Sequence, residues 1–133
     1  MTVVSRDDAV PSVLVDPAFA RRFADEWAAA WNSHDLERVL DHYTDDVVFA
    51  SPKIVQLMGD PAGEVRGKDP LRAYWGKGLQ HLPDLHFTVE DVRVSVDTVV
   101  INYRNERHQP VAEVLTFRDD RVCRGFGAYG PEA

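Results

Sequence analysis

At 133 residues the chain has the length of one domain, enough to bury roughly 65–70% of its unfolded surface. A formal net charge of −7 and a pI near 5.1 leave no electrostatic footprint for nucleic acid or an anionic membrane surface. The single cysteine, Cys123, excludes an internal disulfide framework and suits a reducing, cytoplasmic setting. No run of about 18 apolar residues is present, so no segment is expected to span a membrane.

Residues 1–15 carry Asp7 and Asp8 where an export signal needs positive charge, and Pro11 interrupts their short apolar run. They are expected to form a flexible arm ahead of a single domain over 16–133. Asp16-Pro17 is a helix-start signal, a capping oxygen followed by a proline with helical φ. Phe19, Phe23, Trp27 and Trp31 then recur every four residues beside Ala20, Ala24 and Ala28, an apolar stripe on a helix of about four turns. Asn32-Ser33-His34-Asp35 breaks the pattern. A second helix is expected after it, with Leu36, Val39, Leu40 and Tyr43 on its buried side, ended by Asp45-Asp46, and a strand is expected to begin at Val47-Val48-Phe49.

Residues 52–66 show no clear period and are expected to be a long loop, which in a small domain serves more often as a lid or pocket wall than as a spacer. Asp69 and Pro70 are read as the cap and first turn of a third helix, with Leu71, Tyr74, Trp75 and Leu79 on its apolar side. From there the period is two. Leu85, Phe87 and Val89 alternate, slip at Glu90-Asp91 as at a bulge, and resume as Val92, Val94 and Val96. Strands around Val99–Tyr103, Val111–Phe117 and 121–129 complete an α+β layout: a curved antiparallel sheet wrapped around N-terminal helices, with a pocket at its open end.

Trp31-Asn32-Ser33-His34-Asp35-Leu36, Tyr43-Thr44-Asp45-Asp46-Val47, Gly67-Lys68 leading to Ala73-Tyr74-Trp75, and Glu113-Val114-Leu115-Thr116-Phe117 before Asp120-Arg121-Val122 follow one another in an order that resembles the nuclear transport factor 2-like superfamily, in its SnoaL-like branch. The resemblance covers about residues 17–130. It implies a cone-shaped fold with a deep pocket and dimerisation through the outer face of the sheet. Its members include cofactor-independent isomerases, cyclases, dehydratases and epoxide hydrolases, and proteins that only bind, so the fold does not by itself decide the reaction. Against the ketosteroid isomerases of the superfamily, the general-base aspartate position falls on Ser51 and the oxyanion-hole tyrosine on Trp27. The acid of that oxyanion hole falls on Glu113. A serine lacks useful basicity near neutral pH and an indole N–H is a different donor, so steroid isomerisation is not expected.

Glu113 shares its strand face with Val111, Leu115 and Phe117, which sets a carboxyl among apolar groups. Such a group responds with a raised pKa, the property a general acid or base needs near neutrality. Polyketide cyclases of the SnoaL type place their proposed acid–base group at a similar strand position. Tyr43, Tyr103 and Tyr129 follow the apolar parity of their elements and are candidate hydrogen-bond donors. Trp27, Trp31, Phe49, Ser51, Tyr74, Trp75 and Phe87 are expected to line the pocket, whose indoles favour a flat, apolar or aromatic ligand; the same residues would serve equally as ordinary core. His86 is expected to face outward. The histidines show no spacing typical of a metal site, and no phosphate- or dinucleotide-binding motif is present, so no metal or cofactor is expected.

Two function classes stay open on these residues. One is a cofactor-free acid–base enzyme of the isomerase, cyclase or lyase type acting on a small, largely apolar molecule. The other is a non-catalytic binding or dimeric interaction module.

Overall fold

Asp16 accepts a hydrogen bond from the Ala18 amide (3.1 Å) and starts α1, Pro17–Asn32. In the computed structural model, which describes residues 15–132, the order continues with α2 (Leu36–Leu40), β1 (Tyr43–Ala50), α3 (Pro52–Met58), β2 (Glu64–Arg66) and α4 (Lys68–His81). Four strands follow: β3 (Thr88–Val94), β4 (Thr98–Arg104), β5 (Pro110–Arg118) and β6 (Arg121–Tyr129). The expected arm lies outside the described residues up to residue 14; Val15, at its end, donates its amide to the Val96 carbonyl (3.0 Å).

The six strands form one curved, unclosed sheet in the order β2-β1-β6-β5-β4-β3. Every pairing is antiparallel except β1 with β6, which is parallel. On β4 and β5 the residues alternate strictly: Val99, Ile101, Tyr103, Val111, Glu113, Leu115 and Phe117 are buried under the helices. Their neighbours Val100, Asn102, Ala112 and Val114 point to the other face and are half-buried. α1 lays Phe23, Trp27 and Trp31 onto this surface, and α4 adds Leu71, Tyr74 and Trp75. Each such aromatic removes on the order of 150–250 Å² from water, so these rings supply much of the driving force for closing the cone.

Several expectations are corrected. Tyr43 is the first residue of β1 and not the last of a helix, because Val122 on β6 donates its amide to the His42 carbonyl (2.9 Å) and draws the chain into the sheet. Residues 52–66 are not a loop. Ser51 caps α3 by accepting from the Lys53 amide (3.2 Å), Pro52 opens it, and Gly59 closes it at φ 71°. The chain then returns as the edge strand β2. α4 begins at Lys68, two residues earlier than the Asp69 cap requires. Gly67 (φ 94°) stands at its N-cap, and Asp69 pairs with Arg72 at 2.7 Å instead.

β3 carries the bulge at Glu90 but starts only at Thr88. The preceding segment is held from outside the sheet. The Asn32 side chain grips both backbone groups of Phe87 (3.0 and 2.7 Å), and His34 Nε2 donates to the Leu85 carbonyl (2.9 Å). Val94 and Val96 are exposed, since this edge of the sheet extends past the helices. No helix among the described residues is long and apolar enough to cross a membrane.

Candidate functional site

The helices do not fill the cone completely. A cavity of about 100 Å³ remains, walled by Trp27 and Trp31 of α1, Tyr74 and Trp75 of α4, Phe87 ahead of β3, and Phe49, Tyr103, Glu113 and Tyr129 of the sheet. Leu79, Leu82 and Leu85 close one side. The β4–β5 hairpin contributes Asn105, Glu106, Arg107 and Gln109, and α3 contributes Lys53 and Leu57. The aromatic rings support one another: Trp27 stacks on Phe87 (centroids 5.4 Å apart), Trp31 meets Trp75 edge-on (5.0 Å), and Phe87 lies 4.4 Å from Tyr103. Rings packed this way hold the cavity's shape with little freedom to collapse.

Glu113 is the one acidic residue among the fully packed core side chains, 6% exposed. The strand period puts it inside, and Gly127, its register partner on β6, makes the room: a Cβ there would lie 3.4 Å from Glu113 Oε1. The Tyr103 hydroxyl donates to the same oxygen across 3.4 Å, a long contact. Among the described residues no cationic side chain pairs with it. Burial therefore pushes its pKa up to about 8, opposed only by the Tyr103 hydroxyl. At pH 7 roughly nine-tenths of such a group is protonated, so it can give a proton or, losing it, take one back.

The tyrosines around it are driven the other way from reactivity as bases. Burial first, and then the Glu113 charge, raise Tyr43 and Tyr129; Tyr103 rises well above its ordinary range for the same two reasons. Tyr74 is pushed up to about 12 by burial, with the Ser51 hydroxyl acting against the shift. Near neutrality all four are hydrogen-bond donors.

Tyr103 and Tyr129 line the cavity with Glu113, but Tyr43 does not. The Tyr43 hydroxyl lies behind the wall and accepts from Trp27 Nε1 at 3.2 Å. That bond occupies the indole donor at the position where the isomerase resemblance looks for an oxyanion-hole group. Ser51 is not itself a lining residue: its hydroxyl caps α3 and lies beside the Tyr74 and Tyr129 hydroxyls of the wall, and its residue borders a shallow groove with Val55 and Phe126. The other residues expected as pocket wall, Trp27, Trp31, Phe49, Tyr74, Trp75 and Phe87, all line it. His86 is exposed. Among the described residues no group of three His, Cys, Asp or Glu side chains is placed to hold a metal ion.

The polar residues that the β4–β5 hairpin adds to the lining have no counterpart in the sequence expectations. Residues 105–110 link the two strands in a tightly braced turn. Asn105 Oδ1 accepts from the Arg107 and Gln109 amides (2.9 and 3.1 Å), Gln109 Nε2 donates to the Gly130 carbonyl (2.8 Å), and Arg107 makes two contacts with Glu132 (2.7 and 2.8 Å). Glu106 points inward from this frame. Its Oε1 is buried and finds no hydrogen-bond partner among the described residues. An unsatisfied buried oxygen of this kind costs about 1–3 kcal/mol, more when charged.

A SnoaL-like domain model matches residues 24–125. A SnoaL-like protein from Burkholderia thailandensis, solved by crystallography, is 41% identical with a TM-score of 0.85, and the match covers 89% of this chain and 99% of that one. A nuclear transport factor 2-like protein from Anabaena variabilis (19% identity, TM-score 0.72, 87% and 90% covered) shares the fold. TerC, co-crystallised with polyporic acid, shares it too (15%, 0.70, 84% and 92%). No curated protein shows significant similarity to the chain. The family match over most of the chain, the order of elements and the curved sheet closed by helices agree: with the fold it shares with nuclear transport factor 2-like proteins, the chain belongs to the SnoaL-like family.

Proposed function

We propose that this chain binds a small, largely apolar or aromatic molecule in its cone and moves a proton on it without a cofactor. Glu113 would be the acid–base group, in chemistry of the isomerase, cyclase or lyase type. The observation that supports this reading is a fully packed carboxyl on the wall of a largely aromatic cavity, with no ion-pair partner among the described residues and a pKa pushed up to about 8 by burial. A proton on Glu113 reaches a carbonyl or leaving oxygen of the ligand, and the carboxylate left behind recovers a proton from an activated carbon of the same molecule. Tyr103 and Tyr129, uncharged donors on the same wall, would stabilise the developing enolate-like oxygen. The test is Glu113→Gln, which keeps size and hydrogen bonding but cannot cycle a proton. Across a panel of small cyclic enones and epoxides, wild-type turnover should fall by about 10²–10⁴ in the variant with binding retained. Unchanged turnover would end this mechanism.

The non-catalytic reading is favoured by one feature of the cavity. The cavity, at about 100 Å³, is well below the roughly 300–1,000 Å³ of most ligand sites. A site of this size admits at most a single small ring. Recovery of a bound ligand chemically unaltered after long incubation, with Glu113→Gln binding it as tightly, would support that alternative.

The reading includes self-association through the outer face of the sheet. There Ala50, Phe126, Val114 and Val100 pair in register across four strands, forming an apolar row on the face of the sheet away from the helices among the described residues. Phe126 is 44% exposed. Apolar surface of that kind marks an interaction site.

A further inference from the structure

Glu106 combines three observations. Its Oε1 is buried and without a donor, it lines the same cavity as Glu113, and the turn that carries it is braced on both sides. The donors nearest in sequence are already committed: the Arg107 guanidinium to Glu132, the Gln109 amide to Gly130. Lys53 Nζ lies over the Tyr129 ring, 5.2 Å from its centroid, and makes no bond to Glu106. A rigid acceptor held toward a small aromatic chamber selects for a molecule that brings the missing donor with it.

We propose that the cavity is specific for one-ring aromatic molecules bearing an O–H or N–H group, and that Glu106 Oε1 accepts that hydrogen. The ring packs among Trp27, Trp31, Trp75 and Phe87, in a volume of about 100 Å³. An apolar cavity of about 150 Å³ holds one benzene, so nothing larger than a single ring is expected to fit. The proposal rests on the reading that the cone is a ligand site. It adds which end of the ligand is polar and which residue reads it. Glu106 is thus a specificity-determining residue, separate from the proton-moving role given to Glu113.

The experiment is a titration of the full chain with toluene and with phenol, followed by the three indole N–H resonances in ¹H–¹⁵N NMR spectra. The wild type, Glu106→Met and Glu106→Gln are compared. Phenol should bind the wild type about tenfold or more tighter than toluene, because only phenol satisfies the orphan oxygen. Glu106→Met, apolar and similar in length, should bring the two probes to within about threefold of each other, while Glu106→Gln, which keeps an acceptor, should retain part of the preference. A second readout needs no ligand: thermal unfolding of Glu106→Met should occur at a higher temperature than that of the wild type, because the variant buries no unpaired oxygen. Equal binding of phenol and toluene to the wild type, or the same ratio in Glu106→Met, overturns the proposal and leaves the ligand-site reading standing. Shifts of the indole resonances with neither probe overturn both.

Discussion

Glu113 and Gly127 face each other across the β5–β6 ladder, and a Cβ on the second would stand in contact with the carboxyl of the first, 3.4 Å from its Oε1. Two residues earlier on β6, Gly125 stands opposite Leu115, where an added Cβ would come within 2.9 Å of Leu115 Cδ2 and 3.2 Å of Phe49 Cδ1.

The two glycines should therefore respond differently to alanine. Gly125→Ala forces a packed leucine and a phenylalanine apart and should cost about 1–3 kcal/mol in denaturant unfolding. Gly127→Ala meets only ordinary contacts and should change stability by less than about 1 kcal/mol. Equal costs at both positions would show that the inner face of β6 is not packed as described.

Titration of Glu113 should be visible in stability. Its pKa is pushed up to about 8 in the folded chain from the ordinary 4.5 of a free carboxyl, so the folded state binds the proton more tightly. The favourable contribution is complete below about pH 4.5 and is lost as pH rises through about 8, on the order of several kcal/mol in all. Glu113→Gln removes this dependence. The unfolding temperature of the wild type should fall relative to that of the variant between pH 5 and pH 9, and parallel curves would contradict a buried, unpaired carboxyl.

Trp27 and Tyr43 form a buried hydrogen bond behind the cavity wall. Tyr43→Phe leaves the indole N–H unpaired and should destabilise the fold by about 1–3 kcal/mol. Because Tyr43 does not line the cavity, ligand affinity should stay within about threefold of wild type. Tyr129→Phe, which alters the lining itself, should show the reverse pattern. Denaturant melts and ligand titrations of the two variants separate these roles.

Charge placed in the outer row should abolish self-association. Val114 lies between Val100 and Phe126 in register, so Val114→Asp sets an unpaired carboxylate at the middle of the apolar strip. In sedimentation velocity the wild type should run as a dimer and the variant as a monomer, with the dissociation constant raised about 100-fold or more. A wild type that stays monomeric at high concentration would remove the dimer from this proposal.

Much of the fold was legible because its signals are local. Four-residue spacing from Phe19 to Trp31 marked α1, and two-residue alternation from Val99 to Phe117 marked the central strands and turned Glu113 inward. α3 was legible in principle. Ser51-Pro52 is the same kind of start signal as Asp16-Pro17, and Gly59 is the matching stop, but Val55 and Met58 lie on its solvent side and blur the apolar period.

Local signals could not show the rest. Tyr43 extends a helical pattern by sequence, yet it belongs to a strand because β6, from the far end of the chain, offers it a parallel partner. Ser51 and Tyr43 carry chemistry-bearing groups, and only packing reveals that a helix cap and an indole already use them. Glu106 looks like any turn residue until the hairpin is folded back onto the cone. Sequence alone therefore determined α1, the central strands, the family resemblance and the inward carboxyl, since each depends on residues near one another in the chain. Tertiary structure alone decided the size of the cavity and which polar atoms remain free to meet a ligand, because both are set by groups distant in sequence competing for the same space and the same hydrogen bonds.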